Sequence, residues 1–383
     1  MKHVSERERE LPYGVIDKLL EIAVERKDII SLGPGEPDFP APPEIVHYTR
    51  DIASRVNHYS PPGGRHELKE AISKKLKKDN RIDAGADRIV VTTGSMEGIL
   101  LAMVSMLDSS EQVIIPNPGY MSYTPCAELL DVVPMPLQLR EEHGFEPCPD
   151  DIKKVVNSKT VAILINTPAN PTGNVIKKST LEEIADIAVE KNIYVFSDEA
   201  YEHIIYDGAR HVSIGSLNGM EDYVLSFFTF SKSYSMCGYR VGYCAGPADA
   251  IAAMTKAHTY TTISAPTISQ FLALKALQMP RTYTDSMVKE YKRRRDLVVK
   301  RLTELNFPVP KPEGAFYAFA NIRNFSNDSR LFAQDLLKKA KVAVMPGIEF
   351  GVYGEGYIRC SFATDYNLIE EAMNRIEKFL KRY

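Results

Sequence analysis

Four stretches of this sequence hold side chains capable of covalent, proton or anion chemistry, and each directly follows an apolar run. Thr229-Phe230-Ser231-Lys232-Ser233 follows the run Tyr223–Phe228. A lysine there loses solvation, which lowers its pKa and frees the amine to attack a carbonyl carbon. Thr229 and Ser231 add hydroxyls, and nearby Arg240 adds a planar fork suited to phosphate. Ser197-Asp198-Glu199-Ala200-Tyr201 follows Ile193–Phe196. A carboxylate at the buried end of a strand needs a partner. Asp198 is therefore either a structural salt bridge or cap, or the group that keeps a ligand nitrogen protonated. Asn166-Thr167-Pro168-Ala169-Asn170-Pro171-Thr172-Gly173 follows Thr160–Ile165. Its prolines stiffen the backbone, leaving Asn170 in a plain rigid turn or with its amide aimed at a ligand oxygen. Gly94-Ser95-Met96 follows Arg88–Thr92 and opens a helix. The free N–H groups at that end suit a phosphate, and equally an ordinary serine cap.

The elements that must position these residues alternate in type. Further apolar runs lie at Gln112–Ile115, ending in Pro116-Asn117-Pro118-Gly119, and at Val241–Ala245. Helical patterns span Met96–Met106 and Leu181–Lys191. Strand alternating with helix predicts an α/β fold, a mainly parallel sheet flanked by helices on both faces. Ligands bind beyond the carboxyl ends of such strands, where the four stretches fall. The texture changes near residue 280. Thr282–Leu305 reads as a long charged helix, and its Lys292-Arg293-Arg294-Arg295 run reads as a solvated face. Ala315–Phe319, Val342–Met345 and Tyr357–Phe362 read as strands of a smaller α+β domain. The first forty residues complete it, through a helical pattern at Leu11–Glu25 that leads into Ser31–Phe39. The expected division is a large domain over 41–284 and a discontinuous small one over 1–40 and 285–383.

Composition narrows the classes. The 383 residues carry 47 Lys+Arg and 50 Asp+Glu, with 44% hydrophobic and 25% charged residues. A formal net charge of -3 leaves no basic footprint for nucleic acid or an anionic membrane. No apolar run approaches the ~18 residues of a membrane span. Met1–Glu10 lacks the apolar centre of a signal peptide. The five cysteines form no C-x-x-C pair, which points to reduced thiols in a cytoplasmic protein and to no metal site.

Taken together, the chemical stretches resemble the aspartate aminotransferase family of fold type I pyridoxal-phosphate enzymes. Asn-Pro-Thr-Gly at 170–173, Ser-Asp-Glu-Ala-Tyr at 197–201, Ser-Lys at 231–232 and Gly-Tyr-Arg-Val-Gly at 238–242 stand in that family's order. Gly-Pro-Gly-Glu-Pro-Asp-Phe at 33–39, Tyr59-Ser60-Pro61-Pro62-Gly63-Gly64 and Tyr357-Ile358-Arg359 extend the match over nearly the whole chain. The resemblance implies a seven-stranded-type sheet, a pyridoxal 5'-phosphate cofactor and a homodimer. It implies that Lys232 binds the cofactor aldehyde and later carries the proton, with Ser231 beside it. Asp198 would face the ring nitrogen, while Asn170 and Tyr201 would bond the ring oxygen. Tyr120 would stack on the ring. Ser95, Met96, Thr229 and Arg240 would hold the phosphate, with Tyr59 reaching it from the other subunit. Arg359 would clamp the substrate carboxylate, with the Gly35 backbone and Asn170 nearby. Leu11–Phe39 would border the site as a closing flap, and Thr259–Ser264 would join Tyr59 at the subunit contact.

Met96 stands where an aspartate-preferring subgroup has lysine, so strict dicarboxylate specificity does not follow. Lys256 or Arg65 are candidates to replace that charge, and Tyr13 and Phe39 are candidates to line an apolar or aromatic pocket. The leading expectation is a ping-pong aminotransferase passing the α-amino group of an L-amino acid to a 2-oxo acid such as 2-oxoglutarate. A β-lyase on the same fold and a weakly catalytic cofactor-binding regulator are the alternatives.

Overall fold

The computed structural model describes Ser5, Leu11 and residues 26–383. The helix expected at Leu11–Glu25 lies outside the described residues, apart from Leu11 itself. In chain order the strands are β1 (Ile30–Ser31), β2 (Ile89–Thr92), β3 (Gln112–Asn117), β4 (Val133–Gln138), β5 (Thr160–Asn166), β6 (Tyr194–Asp198), β7 (Val224–Thr229), β8 (Gly242–Ala245), β9 (Tyr317–Asn321), β10 (Val342–Ala343), β11 (Met345–Pro346) and β12 (Tyr357–Ser361). The helices used below are α1 (Pro43–Ile52), α2 (His66–Lys75), α3 (Ser95–Met106), α4 (Tyr123–Glu128), α5 (Pro149–Val155), α6 (Lys178–Lys191), α7 (Phe230–Ser233), α8 (Ala248–Thr261), α9 (Thr267–Gln278), α10 (Thr282–Glu304), α11 (Ser329–Asp335) and α12 (Tyr366–Leu380).

Seven strands form the central sheet in the order β2-β8-β7-β6-β5-β3-β4, and only β8 runs antiparallel to its neighbours. Side chains alternate across it with the period of two that a pleat imposes. Ile163 and Ile165 of β5 pack under α5 and α6, while Ala162 and Leu164 pack under α3, α4 and α8. Both faces are thus covered, as a buried parallel sheet requires. A third apolar layer joins β2, β7 and β8 to α1, α2 and α9.

The direction of β8 brings its beginning to the same edge as the ends of β2 and β7. Gly242 opposes both Thr92 and Thr229 in register. A Cβ on Gly242 would sit 2.5 Å from the Phe228 carbonyl oxygen and 2.8 Å from the Gly94 backbone. Only glycine lets the three backbones close at that point.

Strand β4 was not expected from the sequence, because its Val-Pro-Met-Pro-Leu-Gln carries two prolines. It lies at the sheet edge. Val133 and Leu139 donate inward to the Glu111 and Asn117 carbonyls, so Pro134 and Pro136 occupy the alternate positions facing the open side. A missing N–H costs nothing there, and it blunts the edge.

Beyond the sheet, β11, β12 and β9 form an antiparallel sheet, and β1 pairs in parallel with β10. The expected strand at 342–345 is therefore two short ones serving different sheets. Ile30 and Leu32 share a core with α10, α12, β9 and β12. The Lys292–Arg295 run is not a uniformly solvated face. Met287, Tyr291, Arg294, Arg295, Val298 and Leu302 make up the inward stripe of α10, so two of the four cations are buried. Each is paired. Arg294 donates from Nη1 to both Asp38 oxygens at 2.8 and 2.9 Å, and Arg295 donates from Nη2 to Asp207 at 2.7 Å and from Nη1 to the Pro312 carbonyl at 3.0 Å. Among the described residues, no helix is long and apolar enough to cross a membrane.

Candidate active site

The chemical residues meet in a cavity of ≈ 410 Å³ at the carboxyl edge of the sheet. Its lining includes Gly35, Ser95, Met96, Tyr120, Asn170, Asp198, Tyr201, Thr229, Ser231, Lys232, Arg240 and Arg359. Of the residues that the resemblance assigns to the cofactor and the substrate carboxylate, Tyr59 alone is not among them. Tyr59 stands 82% exposed, outside the cavity of its own chain.

Asp198 ends β6, beside Asn166 at the end of β5. It is 5% exposed. Its Oδ2 accepts from the Tyr123 hydroxyl at 2.6 Å and its Oδ1 from the Ala200 N–H at 3.1 Å. Burial raises its pKa to about 6, even though those two donors pull the other way. Among the described residues no cation forms an ion pair with it.

Lys232 follows β7 on the short helix α7, which Thr229 caps by accepting from the Ser231 N–H at 3.2 Å. Its Nζ donates to the Gly35 carbonyl at 2.6 Å and lies 5.9 Å from the ring centres of Tyr201 and Phe316. Part of the side chain faces the cavity. Burial of the remainder lowers the ammonium pKa, so the free amine is more accessible near neutral pH.

Arg359 sits at the centre of β12, hydrogen-bonded in register between Met345 of β11 and Phe319 of β9. It is 3% exposed. Nη1 donates to Asn170 Oδ1 at 2.8 Å and Nη2 to the Gly33 carbonyl at 2.6 Å, while Nε is buried with no hydrogen-bond partner among the described residues. The guanidinium lies 4.3 Å from the Tyr317 ring centre. Among the described residues it pairs with no carboxylate, and burial lowers its pKa. A buried cation without an anion is costly.

An anion cradle closes the other end. Gly94, at φ 98°, precedes α3 and turns the chain so that the Ser95 and Met96 backbone opens on the cavity. A Cβ on Gly94 would meet Arg240 Nη2 at 2.9 Å. Arg240 adopts φ 50° and donates to the Thr93 and Cys237 carbonyls at 3.1 and 3.0 Å, which leaves its other N–H groups for a ligand.

Two tyrosine hydroxyls of the site are not among the residues expected from the sequence. Tyr123 bonds Asp198, and Tyr317 bonds the Tyr201 hydroxyl at 2.7 Å. Tyr123 stands three positions after Tyr120 on the same turn, packing edge-on to it at 5.4 Å; that spacing was the one signal available. Tyr317 is 116 positions from Tyr201, and nothing local marks it. Other expectations fall elsewhere. Phe39 packs edge-on against Tyr291 at 5.3 Å, the Arg65 guanidinium stacks on Phe271 at 4.3 Å, and Lys256 is exposed on α8; none lines the cavity. Tyr13 lies outside the described residues. Of the expected flap, Gly33–Glu36 lines the cavity and Asp38 is held by Arg294.

The chain is similar to known proteins over nearly its whole length. The family described as aminotransferase class I and II matches residues 27–376. An aspartate aminotransferase of Pyrococcus abyssi is 45% identical over 96% of this chain and 95% of its own length. Aromatic-amino-acid aminotransferase 2 of Thermococcus litoralis is 43% identical with the same coverage of 96% and 95%. Among solved structures, the Thermus thermophilus aspartate aminotransferase with maleate superposes with TM-score 0.94 at 32% identity, covering 99% of this chain and 100% of that one.

Proposed function

The chain belongs to the class I and II aminotransferases, enzymes that use pyridoxal phosphate, and on that premise we propose a division of labour among its cavity residues. One observation carries the proposal. Among the described residues, a buried carboxylate without a countercharge and a buried guanidinium without one flank a half-buried amine in one cavity. Such a site is complemented by a basic ring nitrogen, an aldehyde and an α-carboxylate, which supports the fit of pyridoxal phosphate and an amino acid.

When bound, the cofactor supplies an electron sink for the substrate's α-carbon. Lys232 Nζ would hold the cofactor's aldehyde carbon, and the same amine would be the base for the amino acid's α-proton. Asp198 keeps a proton on the ring nitrogen, with Tyr123 and the Ala200 N–H fixing the carboxylate's orientation. Asn170 and Tyr201 orient the ring through its oxygen, and Tyr120 covers one ring face. Arg240, Thr229, Ser231 and the Ser95-Met96 turn hold the phosphate. Arg359 grips the substrate carboxylate with its unpartnered Nε and the remaining Nη hydrogens, while Asn170 and Gly33 hold the fork still. Gly35 holds the resting amine of Lys232 through its carbonyl.

Lys232, Arg240 and Arg359 are committed to these tasks, and Tyr120, Tyr317, Met96 and Met345 give the cavity an apolar wall. That supports donors with aromatic or apolar side chains. We also propose a homodimer in which Tyr59 and the Thr259–Ser264 stretch cross to the partner, in line with the 82% and 83% exposure of Tyr59 and Tyr260. Residues 41–284 would form the cofactor domain and 1–40 with 285–383 the small one, although the division at 284/285 falls inside α10. Balanced charge and unpaired thiols support a cytoplasmic location.

The test is a single half-reaction followed by a donor panel. Phenylalanine, tyrosine, alanine or aspartate alone should convert bound cofactor to its amine form with one equivalent of 2-oxo acid, and phenylalanine and tyrosine should outpace aspartate against 2-oxoglutarate. Ammonia released with pyruvate, with no acceptor required, would identify a β-lyase instead.

A further inference from the structure

Behind the phosphate turn lies a buried pair that no step above uses. His258, on α8, is fully buried. Its Nδ1 sits 2.8 Å from the Pro62 carbonyl oxygen, which can only accept, so Nδ1 carries a hydrogen. Its Nε2 has no hydrogen-bond partner among the described residues and faces Glu97 Oε2 at 3.3 Å. A neutral ring would turn a lone pair toward that carboxylate, whereas a second proton makes the contact an ion pair.

Glu97 is the third residue of α3, directly behind Gly94-Ser95-Met96. Its Oε2 accepts from the Thr93 N–H at 2.6 Å and its Oε1 from the Thr262 hydroxyl at 2.9 Å. The Thr93 carbonyl in turn accepts from Arg240 at 3.1 Å. Burial alone would raise the Glu97 pKa, but His258 and Thr93 bring it down to about 2, so the carboxylate stays charged. A carboxylate in the first turn of a helix competes with a phosphate for the same positive end. Thr262 also belongs to the Thr259–Ser264 stretch expected at the subunit contact.

We infer that His258 and Glu97 are a positioning pair for the cofactor phosphate. Doubly protonated His258 cancels a charge that would repel the dianion, and Glu97 fixes Thr93, which steadies Arg240. This rests on the reading that the Gly94–Met96 turn and Arg240 hold the phosphate.

Full-length protein freed of cofactor is titrated with pyridoxal phosphate and with pyridoxal, which shares the ring and lacks the phosphate. Unmodified protein should prefer the phosphate form. His258→Gln should weaken pyridoxal phosphate binding by about tenfold or more, the effect of one uncancelled charge beside a dianion, while pyridoxal affinity stays within about twofold. Adding Glu97→Gln keeps an acceptor for the Thr93 N–H without the charge, and should restore most of the loss. An equal loss for both ligands, or a double variant no better than the single one, would overturn the pair's role. Unmodified protein that binds both ligands alike would overturn the phosphate reading itself, and this inference with it.

Discussion

Replacing Asp198 by asparagine separates what that carboxylate costs the fold from what it gives the cofactor. Burial lifts the Asp198 pKa from the ordinary 3.8 to about 6. The folded protein therefore binds this proton more tightly than the unfolded chain does. Stability from this group is complete below pH ~4 and is lost as pH rises through about 6. At ~1.36 kcal/mol per pH unit the loss is about 3 kcal/mol. Asparagine has no charge to desolvate, keeps an oxygen for the Ala200 N–H, and offers an N–H to the Tyr123 hydroxyl oxygen. In cofactor-free protein the variant should be the more stable by up to about 3 kcal/mol at pH 7–8, with the difference vanishing near pH 4. Adding pyridoxal phosphate should reverse the order, because only the carboxylate pairs with a protonated ring nitrogen. Denaturant unfolding at fixed protein concentration, from pH 4 to 8 with and without cofactor, measures all four cases. Cofactor-free wild type that matches or exceeds the variant at pH 8 would refute the idea that an uncompensated buried anion waits in this site.

Two further substitutions probe the other charges. Lys232→Ala should abolish covalent cofactor attachment, read as the mass gained after borohydride reduction, and lower turnover by about a thousandfold or more; an unchanged mass gain would place the attachment on another amine. Arg359→Lys loses the planar fork while keeping a positive charge, so KM for the amino donor should rise roughly 10- to 100-fold with cofactor retention unchanged; a shift in retention alone would assign this residue to the cofactor instead.

The local motifs were legible because each is a short-range event. A lysine, a carboxylate, a glycine turn or a proline-stiffened loop placed just after an apolar run is necessarily at the sheet's carboxyl edge once the runs pair in parallel. Hence Lys232, Asp198, Asn170 and the Gly94-Ser95-Met96 turn could be placed from their own neighbourhoods. The strand β4 was hidden because proline argues against a strand unless its place at the edge is known.

What the sequence by itself determined was which side chains stand at the ends of which strands, since that depends only on periodicities of two and 3.6 along the chain. What only the tertiary structure decided was their electrical state and their partners. Among the described residues Arg359 and Asp198 are buried without countercharges, Tyr123 and Tyr317 supply hydroxyls from afar, and Arg294 and Arg295 turn inward rather than out. Desolvation and pairing arise from contacts between segments far apart in sequence, such as the 189 positions between Asn170 and Arg359, and no local pattern encodes such a distance.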